Sequence, residues 1–108
     1  MRLCFLLAAV LTTNSYIYGQ LQFTTHIITA DAFGPTEVYA TDLDGDGDVD
    51  VLSAAFGGNR IAWYENDGEE TFTPHVITND VQWAADVYAT DVDGDGDTDV
   101  LSGSFYKV

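Results

Sequence analysis

Residues 41–50 read TDLDGDGDVD, and residues 90–99 read TDVDGDGDTD. In each string every second residue of a nine-residue span is an aspartate, five in all, with glycine in two of the gaps. Two unit charges ~5 Å apart repel by about 1 kcal/mol even in water. A stretch holding several such pairs calls for something positive among them, and its recurrence calls for a reason.

The recurrence is part of a longer one. Shifted by 49 residues, the chain overlays on itself without a gap. FTTHIITAD (23–31) falls on FTPHVITND (72–80), and EVYATDLDGDGDVDVLSAAF (37–56) on DVYATDVDGDGDTDVLSGSF (86–105). Of the 37 positions that superpose, 21 are identical. The intervening AFGPT and VQWAA diverge as loops do. A duplication explains the second string.

Each unit reads as short strands cut by turn signals. VYAT (38–41) is apolar and β-prone and runs into the first aspartate string; VDVLSAAF, ending at Phe56, leaves it. FGGN (56–59) turns the chain into RIAWYE (60–65), and NDGEE (66–70) turns it again into FTPHVIT (72–78). Outside the N-terminal segment no stretch keeps a helical period. The expected fold class is therefore all-β: four-stranded antiparallel blades of the β-propeller type, one per 49-residue repeat. Residues 20–36 supply the last strand of a preceding blade plus a loop, 37–85 a complete repeat, and 86–108 a truncated second one. That makes about one and three-quarter blades, an incomplete ring, against the about 4 to 8 of a closed propeller. Such a chain is expected to be a fragment, a truncated reading frame, or a unit that completes itself with other copies.

Taken as a loop starting at Asp42, the first string places carboxylates at positions 1, 3 and 5 (Asp42, Asp44, Asp46), glycine at 6 (Gly47) and a carboxylate at 9 (Asp50). In calcium loops positions 1, 3 and 5 surround one ion, position 7 offers a backbone carbonyl (here Asp48), and the glycine permits the sharp turn. The second string repeats this with Asp91, Asp93, Asp95, Asp97 and Asp99. Calcium takes 6 to 8 hard oxygen ligands at about 2.3–2.6 Å, which an aspartate-rich loop supplies. Magnesium prefers a small octahedral shell and keeps its waters, and zinc prefers His or Cys. The loop is not an EF-hand, since position 12 is Ser53 or Ser102, within strand patterns, where that motif has a bidentate Glu. Ca2+ at two sites, one per loop, is the expected cofactor.

Composition agrees. Eighteen acids face three basic residues for a net charge of −15, and ten of the eighteen lie in the two strings. Such acidity argues against nucleic acid or an anionic membrane as partner. With 46% hydrophobic and 13% aromatic residues, the chain is nevertheless built to fold. The N-terminus carries Met1-Arg2, the apolar run LCFLLAAVL (3–11) and then polar TTNSYIYGQ, a secretory signal pattern spanning 1–19 with cleavage after Ser15 or Gly19. The run is too short to span a bilayer, which needs about 20 residues. Cleavage removes the single cysteine, Cys4, so no disulfide staples the remainder and bound metal becomes a natural substitute. Localisation is expected to be extracellular or at the cell surface, with no membrane insertion once the signal is gone.

The pattern D-x-D-x-D-G-x-x-D between two strands, followed by FGG and RIAWYEND, resembles the FG-GAP and VCBS repeats, the blades of calcium-bearing β-propellers. The likeness runs from Phe23 to the C-terminus. It implies side-chain ligands at Asp42, Asp44, Asp46 and Asp50 and at Asp91, Asp93, Asp95 and Asp99, with the carbonyls of Asp48 and Asp97. It also implies a non-enzymatic structural, adhesion or ligand-binding role, with polysaccharide or a surface protein as partner besides calcium. The alternative is a piece of a larger secreted, polysaccharide-acting enzyme that uses the propeller as scaffold or binding appendage.

The remaining chemistry-bearing residues are assigned to packing. His26 and His75 share a repeat position and are expected between blades; Trp63 and Tyr64 are expected in a blade core. Trp83, without a repeat counterpart, is the better candidate for a surface contact. Ser53 and Ser102 lack the G-x-S-x-G elbow of a hydrolase nucleophile.

Overall fold

The computed structural model describes residues 6–10, as backbone, and 22–106. Eight strands run in chain order: β1 (Leu6–Val10), β2 (Gln22–His26), β3 (Pro35–Thr41), β4 (Asp50–Ala55), β5 (Arg60–Asn66), β6 (Phe72–Thr78), β7 (Ala84–Thr90) and β8 (Asp99–Ser104). They group as an antiparallel pair β1-β2, a four-stranded antiparallel sheet in the order β3-β4-β5-β6, and an antiparallel pair β7-β8. The described regular structure is all β, as the strand and turn pattern required. The central sheet is one whole blade, and β7-β8 repeats its first two strands with the same register: Thr41 faces Asp50, and Thr90 faces Asp99. Of the expected leader, only the backbone of Leu6–Val10 is described, paired with Gln22–His26; both candidate cleavage points lie outside the described residues.

The first strand starts three residues before the apolar VYAT, at Pro35. Proline has no N–H to give to a ladder and sits at strand starts and bulges, and here the pairing with β4 shifts register between Pro35 and Glu37. The strand expected within residues 20–36 forms as β2 and ends at His26. The glycine turn after β4 forms as expected, with Asn59 N–H donating to Phe56 O and Asn59 taking φ 49°. Asparagine tolerates that left-handed conformation better than most residues.

Packing gives the central blade two covered faces. On one, Leu52, Ala54 and Ile61 are buried against Val81, Ala84, Val87 and Ala89 of the β7 side. On the other, Val51, Ala62 and Tyr64 are buried with Ile28 and Phe72 packed against them. Every residue of β4 is consequently buried. Thr36 adds a polar link between the two units, its hydroxyl donating to Ala84 O at 2.8 Å. Tyr64 is buried in the blade as expected, and Trp63 packs at the edge of the first cluster. Among the described residues the Tyr64 hydroxyl finds no hydrogen-bond partner.

Candidate metal centres in the aspartate loops

Each aspartate string connects the first strand of a repeat to the second, beginning just after Thr41 or Thr90. Its local structure comes from its own side chains. Asp42 accepts from Gly45 N–H at 2.7 Å on one carboxylate oxygen and from Gly47 N–H at 3.0 Å on the other. Asp44 Oδ1 accepts from Asp46 N–H at 3.1 Å, and Asp46 Oδ1 from Asp48 N–H at 2.8 Å. Asp50 Oδ2 closes the loop by accepting from Leu43 N–H at 2.9 Å. Short carboxylates bonding backbone a few residues on is the turn-forming habit of aspartate. Gly47, at φ 98°, takes a backbone conformation that a side chain would strain.

The second loop reproduces all five bonds. Asp91 accepts from Gly94 and Gly96 at 2.6 and 2.9 Å, Asp93 from Asp95 at 3.1 Å, Asp95 from Asp97 at 2.8 Å, and Asp99 from Val92 at 2.9 Å. No distance differs from its counterpart by more than 0.1 Å. The surroundings differ, since the first loop abuts a complete blade and the second a strand pair. The loop shape is therefore encoded locally.

The result is convergence. Asp42, Asp44 and Asp50 bring one carboxylate oxygen each to within 4.8 Å of one another, and Asp91, Asp93 and Asp99 do the same. Asp46 and Asp95 stand outside these groups of three, with one oxygen accepting from the backbone N–H two residues on. The Asp48 side chain lies elsewhere: a Cβ added to Gly68 would meet its Oδ2 at 2.7 Å, so the carboxylate rests against the turn between β5 and β6. Asp97 has no such turn beside it among the described residues. The donor set is hard oxygen alone, without nitrogen or sulfur, which fits calcium and does not fit zinc.

Electrostatics shows the strain of the arrangement. Partial desolvation pushes the Asp44 carboxyl above its ordinary range, and the like charges of Asp46, Asp50 and Glu65 add to the shift against one opposing bond from Asp46 N–H. A cation among these groups would reverse that balance.

Three contributors were not visible in the string itself. Asn66, at the end of β5, donates its backbone N–H to Asp50 Oδ1 at 2.8 Å and its amide to Val49 O at 3.1 Å. The same amide group accepts from Gly68 N–H at 3.1 Å, shaping its own turn. Asp67 accepts from the N–H groups of Glu69 and Thr71, which hold its carboxyl below the ordinary range. Glu65 approaches from β5 as a further negative charge; the NDGEE motif was the available signal for Asn66 and Asp67, and the end of RIAWYE for Glu65.

His75 departs from the expected packing between blades, whereas His26, on β2, reaches across to the β5–β6 turn of the central blade. His75 Nε2 lies 2.6 Å from Glu65 Oε2 and its ring stacks on Trp63 at 4.5 Å within one blade, while His26 Nδ1 lies 2.9 Å from Glu70. Each is a partly exposed side chain with a carboxylate partner, the arrangement a strand-edge imidazole adopts when acids are abundant. Trp83 is 43% exposed and sits between Phe56 and Tyr106, with ring centroids 5.4 and 4.3 Å away.

A search of curated proteins and of solved structures finds no match for the chain. The family described as FG-GAP-like repeat matches residues 42–102, a span that starts at the first aspartate loop and takes in all of the second. With that match over more than half its length, and with the strand order and loop placement described above, the chain belongs to the FG-GAP-like repeat family.

Proposed function

We propose that this β-propeller-type repeat module is secreted, that each aspartate loop binds one calcium ion, and that it acts as a structural or ligand-binding unit without catalysis. The observation that carries the metal reading is the paired convergence of Asp42, Asp44 and Asp50 and of Asp91, Asp93 and Asp99 in one geometry. Asp46 and Asp95, together with the carbonyls of Asp48 and Asp97, complete the set of oxygens available to the ion. When bound, the cation supplies charge neutralisation and ties the end of a repeat's first strand to the start of its second. Apart from the buried Asp50, the loop carboxylates lie at or near the surface, which suits the about 10⁻⁴–10⁻³ M affinity of extracellular calcium modules. Secretion is supported by the leader pattern in 1–19. Polysaccharide or a surface protein is the partner class that the exposed aromatic residues and adhesion-type repeat favour.

The test is thermal unfolding with calcium, with magnesium and with chelator. Calcium at millimolar level is expected to raise the midpoint, chelator to reverse the gain, and magnesium to do much less. A midpoint indifferent to calcium would refute the reading.

A further inference from the structure

The contact between the central blade and β7-β8 has two halves, and the 49-residue repeat makes each half appear a second time. On the blade side, Leu52 is fully buried in the shared cluster. Its repeat counterpart, Leu101, is 43% exposed on β8. On the opposing side, Val87 is 3% exposed in the same cluster, and its counterpart Val38 is 50% exposed on β3. The loops repeat the pattern. Leu43 and Thr98 line one cavity at this contact, whereas their counterparts Val92 and Val49 are 59% and 50% exposed. Among the described residues, both halves of this well-packed contact thus recur with their apolar side chains exposed, one on β3 and one on β8.

We propose that the exposed face of β7-β8 binds the β3 face of a second copy of this chain, so that copies associate head to tail in the geometry of the internal contact. The occupant is specified by quasi-equivalence: Val87 and Ala89 cover Leu52 inside the chain, and their counterparts Val38 and Ala40 are exposed, while Ala32, the counterpart of Val81, is already buried within the chain. Two different patches meet, so the contact is heterologous and continues from copy to copy until it closes or is capped. One feature makes it weaker than its internal counterpart. Ala85 stands where Thr36 would donate its hydroxyl across the boundary, so that hydrogen bond is missing between copies. The net charge of −15 also opposes association, so added salt strengthens it by screening.

Sedimentation or light scattering of the purified chain across a range of concentrations tests this, with Leu101→Glu and Val38→Glu as variants. The wild-type mass is expected to rise with concentration from 11.7 kDa to at least twice that value, and more readily in salt. Each variant alone is expected to stay at the monomer mass. Mixed in equal amounts they are expected to form a dimer and stop there, because one retains the Val38 face and the other the Leu101 face. That recombination also shows that both variants are folded. A wild-type mass fixed at 11.7 kDa, association untouched by either substitution, or a mixture that fails to recombine would each overturn the proposal.

Discussion

Asn66 and Asp50 tie the end of β5 to the aspartate loop: the Asn66 backbone N–H donates to Asp50 Oδ1 at 2.8 Å while Leu43 N–H occupies Oδ2. Asp50 is fully buried, so both oxygens are spoken for away from water. In the second repeat Asp99 is only half-buried and keeps the Val92 bond alone. The same residue type thus has a heavier structural duty in the first loop than in the second.

Replacing Asp50 with alanine leaves two donors without a partner, each costing about 1–3 kcal/mol. Asp50→Ala is expected to lose about 3 kcal/mol of stability, and Asp99→Ala about 1 kcal/mol or less. Urea denaturation in chelator measures the difference without the metal's contribution. Equal losses would contradict the asymmetry.

Glycine matters in the loops for backbone reasons alone. A Cβ on Gly47 or Gly96 would meet nothing within 4 Å, yet both residues sit at φ 98°. Gly47→Ala and Gly96→Ala are each expected to cost about 1–2 kcal/mol, the penalty of a left-handed L-residue. Gly58→Ala, where φ is not positive and the nearest new contact is an ordinary 3.6 Å, serves as the near-neutral comparison. Thermal melts of the three variants rank them.

The orphaned hydroxyl of Tyr64 makes the opposite kind of prediction. A buried, unsatisfied polar group costs about 1–3 kcal/mol, and phenylalanine removes it while keeping the ring. Tyr64→Phe is expected to be neutral or up to about 1 kcal/mol more stable by urea denaturation. A clear loss would show that the hydroxyl has a partner in solution.

Acid sensitivity has a specific source in the β5–β6 turn. Backbone N–H groups of Glu69 and Thr71 hold Asp67 below the ordinary carboxylate range. A depressed carboxylate contributes stability that is complete above its unfolded value and is lost as pH falls through the folded one. Asp44 is shifted upward, so its penalty at neutral pH is relieved on acidification. In chelator, Asp67→Asn is expected to flatten the fall in stability below the ordinary carboxylate range. An acid limb as steep as that of the wild type would remove Asp67 from the account.

Much of this architecture was legible in the sequence because its signals are local. Asp42, Asp44 and Asp46 bond backbone within five residues of themselves and Asp50 reaches back seven to Leu43, so the loop folds alike in two settings. Strand identities followed from apolar runs bounded by glycine and acidic turns, and β6 spans the residues expected, Phe72–Thr78. What was not legible depends on distance in the chain. Asn66 lies 16 residues from Asp50, and nothing in RIAWYEN says that its end folds back onto the loop. The His75–Glu65 pairing depends on the register between β5 and β6, which one strand alone does not reveal. The contrast between Leu52 and Leu101 is invisible in principle, because identical local sequence is buried or exposed according to what packs against it.

The central claim is that the two convergent carboxylate groups are calcium sites, and calorimetric titration of calcium into metal-free protein tests it most directly. The account predicts binding at two sites per chain that disappears in the Asp44→Ala/Asp93→Ala double variant, with the fold retained by circular dichroism. No binding heat at millimolar calcium, or unchanged binding in the double variant, would contradict it.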